Sequence, residues 1–214
     1  MKNIKKLPLI VSLLSLLIVF TPANADVKVV TSIKPIHSLA SYLMDGVGKP
    51  DLIVDGYASP HGFALKPSHA KMIQNADLIF WVGEDLENFL EKPLKSIAKK
   101  AEKIELMEIK GLKKLEFRER NIFEGHDDHK DHGHKEDKHD DHHEHAHGEH
   151  DPHIWLDPMN AKVMLSEMAE HLIEKDQENA SKYKANLKNA HKDLDKLTKK
   201  IRSDLNKDFK SIVF

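Results

Sequence analysis

Residues 77–82, DLIFWV, narrow the possible folds of this chain more than any other stretch, because after the aspartate no polar face remains. A continuous apolar strand of this kind is buried on both faces, as in a parallel sheet covered by helices. The flanking pattern agrees. Residues 27–33 form a β-branched run, and Pro35 opens a helical stretch through Leu39, Tyr42 and Leu43 that stops near Gly46. Residues 51–54 read as a second short strand, followed by a loop through Gly56, Pro60 and Gly62. Pro67 sits well as the first residue of a helix ending near Asn75. A helix over about 86–101 and a strand over about 104–109 complete the series. This βαβα order predicts an α/β fold, a mostly parallel sheet flanked by helices.

Further on, Asp157-Pro158 pairs an N-cap with proline at the first helical position, and a helix to about Glu174 is expected. A second helix is expected over about 177–206. Its apolar residues, Ala180, Tyr183, Leu187, Ala190, Leu194, Leu197, Ile201 and Leu205, are separated by threes and fours. At 1.5 Å per residue it would be roughly 45 Å long, more than one small domain needs. Residues 211–214 (SIVF) read as the start of another strand. The expected division is a signal peptide over 1–25, an α/β lobe over 26–175, a long linking helix over 176–207, and the beginning of a second, truncated lobe over 208–214.

Lys2, Lys5 and Lys6 precede an apolar run over 7–20, and Ala23-Asn24-Ala25 supplies a small-x-small cleavage pattern. That is the layout of a secretory signal peptide. The run falls short of the roughly 20 residues that span a bilayer. With no cysteine in the chain, disulfides and a lipid-modified N-terminal cysteine are excluded, and metal ligands must be nitrogen or oxygen. A periplasmic location is expected. The formal charge of −2 is unevenly spread: residues 124–151 hold 11 acids and 3 lysines. The basic residues elsewhere form no stripe with aromatic platforms, so nucleic acid is not an expected partner.

That acidity belongs to a tract, residues 124–153, too polar to form a core. It carries His126, His129, His132, His134, His139, His142, His143, His145, His147 and His150, and ends at His153. Imidazole and carboxylate are ligands for zinc and its first-row neighbours, so the tract is expected to be a mobile, auxiliary, low-affinity metal site. A flexible tether would hold captured metal at roughly millimolar effective concentration. Neutral imidazole is the ligand form, so binding should fade as pH falls through about 6.5, or somewhat higher beside acids. His143-Glu144-His145-Ala146-His147 matches the H-E-x-x-H of zinc proteases, but that motif needs a stable helix. Gly133, Gly148 and Pro152 surround it and no apolar face supports one, so no enzyme is expected.

Two further positions carry chemistry. His61 lies in GYASPHGF, just past a strand's carboxyl end, where open α/β sheets place ligands. His153 lies in DPHIWLDP, immediately before a capped helix. His37 reads as a packing or surface residue, and His69, His171 and His191 read as solvated helix faces.

The segments VVTSIKPIHSLA (29–40), ASPHGFALKPSHAKMIQNADLIFWVGEDLENFL (58–90) and DPHIWLDPMNA (151–161), in this order around a histidine-rich loop, resemble the zinc-specific substrate-binding proteins of bacterial ABC importers. That cluster also contains manganese-binding members. The resemblance implies two lobes joined by a rigid helix, with Zn2+ held in the cleft by His61 and His153. A third histidine and an acidic ligand or water would come from a second lobe. It also implies a monomer that captures zinc and delivers it to an inner-membrane ABC permease. A periplasmic zinc or nickel buffer or metallochaperone without a transporter, and a metal-dependent adhesin, are the alternatives.

Overall fold

The computed structural model describes residues 27–116 and 149–212. Four strands, β1 (Val29–Thr31), β2 (Asp51–Leu52), β3 (Leu78–Trp81) and β4 (Glu102–Glu105), form one parallel sheet in the order β2-β1-β3-β4. Val29, Val30 and Thr31 of β1 pair with Leu78, Ile79 and Phe80 of β3. All four residues of β3 are buried, as its unbroken apolar run requires of a central parallel strand.

The expected strand over 104–109 begins earlier and ends sooner. β4 covers Glu102–Glu105, and a 3-10 turn follows over Leu106–Glu108. As an edge strand it tolerates Glu102 and Lys103, which pair with Leu78 and Ile79. Leu106 and Met107 are apolar because they are buried, not because they belong to a ladder.

Among the described residues the sheet is accompanied by the helices α1 (Lys34–Leu43), α2 (Pro67–Asn75), α3 (Glu84–Ser96), α4 (Pro158–Lys175) and α5 (Ala180–Ile212), the last packed on α4 and α1. Proline occupies the first or second helical position in α1, α2 and α4, where a missing N–H costs nothing. α3 starts and stops before the expected 86–101. Pro93 inside it withholds an N–H near its end. It also departs from helical dihedrals at Glu87 (φ −123°, ψ 49°).

α4 packs against β3, α1 and α5. Its buried Met164, Leu165, Met168 and Leu172 join Ile36, Leu43 and Phe80 in the core. The start of α5 is tied down by polar contacts. Tyr183 is buried and its hydroxyl donates to Asp176 Oδ2 (2.8 Å). Asn186 Nδ2 donates to the carbonyls of Leu43 and Asp45 (2.7 and 2.9 Å), groups that the end of α1 leaves without helical partners. Leu197, Ile201 and Leu205 further along α5 are exposed.

The expected strand over 211–214 is not found: α5 continues through Ile212, and residues 213–214 lie outside the described part. Ile, Val and Phe favour strands, but among the described residues no neighbouring strand lies there to pair with them, whereas residues 211–212 extend the hydrogen-bonded turns of α5. Among the described residues no helix is long and apolar enough to cross a membrane. The expected signal peptide, residues 1–25, lies outside them.

Candidate metal centre

The strand order reverses direction between β1 and β3, and in open α/β sheets the crevice beyond the carboxyl ends at such a point is where ligands bind. The loop after β2 reaches this end. Its Pro60–Gly62 turn presents His61, whose backbone N–H is accepted by Ser59 Oγ (3.3 Å). Phe63 clasps the loop to the body, its ring 5.3 Å from both His69 on α2 and Phe89 on α3. The His61 side chain itself is exposed.

His153 arrives from the other direction, in the segment before α4. Asp157 caps that helix by accepting the N–H of Met159 (2.8 Å), so the entry into α4 is firmly set. The rings of His61 and His153 lie 5.8 Å apart, tilted by 41°. Two imidazoles sharing a tetrahedral zinc, each with Zn–N near 2.0 Å, would have ring centres roughly 5.2 Å apart. A shift of about half an ångström in the exposed His61 loop, or a wider N–metal–N angle, closes that gap.

Asp151 prepares His153 for such a role. Its Oδ1 accepts the backbone N–H of His153 (2.9 Å) and stands 2.6 Å from Nδ1. The backbone N–H, more than the imidazole, holds the Asp151 carboxyl below its ordinary range, so it is anionic at neutral pH. A carboxylate at Nδ1 fixes the tautomer with the proton there and leaves Nε2 with a free lone pair, the usual arrangement behind a metal-ligating histidine. Trp155, 5.2 Å away, limits ring rotation.

The feet of the histidine tract meet beside this centre. Glu116 and His150 form an antiparallel bridge, and Asp151 N–H donates to Leu115 C=O (2.7 Å). Asn160, buried on α4, accepts from Lys113 N–H (2.8 Å) and donates to the carbonyls of Lys113 (2.9 Å) and Ile154 (3.1 Å). The chain therefore leaves and re-enters through a closed base, three positions before His153. His150 belongs to that base. His126, His129, His132, His134, His139, His142, His143, His145 and His147 lie outside the described residues.

The remaining histidines need correction, because none of the three expected on solvated faces is simply solvated. His69 is half-buried and its Nδ1 accepts Lys66 N–H (3.1 Å), capping α2. Desolvation, then the Lys66 charge, lowers its pKa, which suits a neutral acceptor. His191 Nε2 lies 3.1 Å from Lys162 C=O, joining α5 to α4. His171 sits between Glu102 and Glu167. His37 does act locally, with Nε2 3.1 Å from Pro50 C=O.

A carboxylate missed by sequence reasoning lies in the core beneath this end of the sheet. Glu87 is fully buried, and its Oε2 accepts the N–H groups of Val82 and Gly83 (2.8 and 3.1 Å) at the carboxyl end of β3. Burial pushes its pKa up to about 7, against the pull of the Ser32 hydroxyl and those two N–H groups. The Ser32 contact falls short of a formed hydrogen bond, since Ser32 Oγ and Glu87 Oε1 are both buried without a partner. In the sequence Glu87 is one acid among Glu84, Asp85 and Glu91, and nothing distinguishes it.

The family described as ZnuA, zinc-uptake complex component A, periplasmic, matches residues 29–213. A high-affinity zinc uptake system protein ZnuA of Brucella abortus is 44% identical over 203 residues, covering 87% of this chain and 61% of that protein. A protein of the same name from Paracoccus denitrificans is 38% identical over 192 residues, covering 86% and 59%. The chain thus spans about three fifths of the length of these curated relatives. Among solved structures, the metal-dependent lipoprotein YcdH of Bacillus subtilis superposes with a TM-score of 0.61 at 22% identity, over 83% of this chain and 55% of that one. Zn(II)-bound AdcA of Streptococcus pneumoniae gives 0.61 at 19% identity, over 82% and 32%. At these identities the likeness is one of fold.

Proposed function

The chain belongs to the ZnuA family of periplasmic zinc-uptake components, and from that membership we propose that it captures zinc as a transport substrate and delivers it to an inner-membrane ABC permease. The observation that carries this reading is the approach of His61 and His153 to 5.8 Å at the switch point of the sheet, with Asp151 behind one of them. Residues 26–175 act as the metal-binding lobe, and α5, expected over 176–207 and found over Ala180–Ile212 behind a 3-10 turn at Gln177–Asn179, acts as the helix leading to a second lobe, whose donors complete the sphere. A periplasmic site reached after cleavage of residues 1–25 fits the family description.

Nitrogen-rich ligation favours zinc over manganese, whose sites take more carboxylate. The protein binds and releases the ion without chemical change. The tract acts as an antenna: its closed base lies beside His153, so metal captured by its histidines stays within reach of the cleft.

Zinc competition titrations of the protein and of His61→Ala and His153→Ala test the site. Each substitution should weaken tight binding at least tenfold, and unchanged tight binding in the double variant sinks the reading. Growth and zinc uptake under zinc starvation, in cells with and without the protein, test delivery. Zinc-dependent capture of a permease subunit separates a transporter component from a buffer, which should retain none.

A further inference from the structure

A second cluster of ligand atoms lies at the opposite end of the sheet. Glu102, the first residue of β4, meets the last turns of α4. His171 Nδ1 is 2.6 Å from Glu102 Oε1, and His171 Nε2 is 3.4 Å from Glu167 Oε1. One ligand atom each from Glu102, His171 and Glu174 lie within 4.8 Å of one another. Residues 167, 171 and 174 share a helix face through their spacings of four and three.

Two features separate this cluster from an ordinary surface ion pair. The buried His171 Nδ1 makes no formed hydrogen bond, despite its short approach to Glu102. The charges are also unbalanced. Three carboxylates, Glu102, Glu167 and Glu174, face one ammonium, that of Lys175, 3.5 Å from Glu102 Oε2. With a neutral imidazole the group carries a local charge of −2, which a divalent cation offsets.

We propose that Glu102, His171 and Glu174 form a second divalent metal site, taking zinc or a neighbouring first-row ion through one imidazole nitrogen and two carboxylate oxygens. Glu167 and water are available for the remaining positions. Magnesium and calcium prefer all-oxygen sets, so the imidazole selects against them. Ligand atoms around tetrahedral zinc are roughly 3.3–3.5 Å apart, so His171 Nδ1 and Glu102 Oε1, 2.6 Å apart, must separate slightly if that nitrogen is the ligand, while Glu174 is exposed and free to swing in. Lys175 moves aside as the ion enters. Of the three proposed ligands, Glu174 also borders a neighbouring cavity of about 630 Å³, together with Lys175, Asp176 and Glu178. His171 is 13 residues along α4 from Pro158, roughly 20 Å by helical rise, so this site does not share an ion with His61 and His153.

Zinc-soaked crystals of the full chain, measured at the zinc absorption edge, locate the ion directly. An anomalous peak between Glu102, His171 and Glu174 is expected. Zinc retained after dialysis should fall by one equivalent in His171→Gln and in Glu174→Gln, in the intact protein and equally in a His61→Ala/His153→Ala background. Glu174→Gln alters an exposed side chain, so it reports even if His171→Gln fails to fold. No peak at this position together with unchanged stoichiometry overturns the proposal. So does nitrogen NMR showing both ring nitrogens of His171 protonated at zinc saturation, an imidazolium held between carboxylates. Failure of the cleft site would instead appear as unchanged binding on loss of His61 and His153.

Discussion

At His153, a single carboxylate oxygen sets both the position of the backbone and the proton on the ring. Asp151→Asn keeps the shape but offers a weaker, neutral partner to Nδ1. Its zinc affinity should fall about 10- to 100-fold by chelator competition, with the thermal midpoint little changed. Glu87 makes a different demand. Its folded pKa of about 7 lies above the ordinary carboxyl value of 4.5, so the folded state binds a proton that the unfolded state gives up earlier. The associated stability is complete below pH 4.5 and is lost as pH rises towards 7, by about 3 kcal/mol. Glu87→Gln removes that dependence. Urea midpoints of the variant should vary less between pH 5 and 8, and should compare more favourably with the parent at pH 8. Equal slopes in the two proteins would show that Glu87 does not titrate in this range. His61 and His153 were singled out in the sequence by loop position and neighbouring proline, but their pairing was implied only by the family resemblance, and the structure brings their rings to 5.8 Å. Asp151 was visible only as an adjacent acid, and Glu87 not at all, because burial is a property of the neighbours and not of the residue.

At the scale of elements, Asn160 holds three pieces of backbone to the first turn of α4. Asn160→Ala leaves the N–H and C=O of Lys113 and the C=O of Ile154 without that partner, and should cost about 2 kcal/mol. Faster amide hydrogen exchange at Lys113 and Asp151 should accompany it, since the base of the tract loosens. A rise confined to α5 would place the strain elsewhere. Elements with sharp punctuation were readable: the expected helix from Pro67 to Asn75 and the observed α2 coincide, as does the entry to α4 at Pro158. Elements whose ends depend on partners were not. β4 begins at Glu102 because Leu78 is there to receive it, and α5 continues through Ile212 because no described strand is there to pair with residues 211–212.

Across the whole molecule, the described residues on either side of the tract are joined to each other, Glu116 to His150 and Leu115 to Asp151, and the core is built from residues outside it, so the tract should be dispensable for folding. Deleting residues 117–148 should leave the zinc-free thermal midpoint within a few degrees of the parent, while lowering the zinc bound per chain and slowing loading at limiting metal. A large fall in the midpoint would mean that the tract supports the lobe. α5 extends over 33 residues, roughly 50 Å, with its first half anchored to α1 and α4 and Leu197, Ile201 and Leu205 exposed beyond. By itself the sequence determined the α/β class, the order of strands and helices, and a ligand chemistry without thiolates, since periodicity, proline placement and composition are local properties. Only the tertiary structure decided that His61 and His153 face each other, that Glu87 is held in the core, and that Glu102 meets His171. Those juxtapositions depend on strand order and helix packing, which bring distant residues within ångströms and leave no trace in the spacing of either partner.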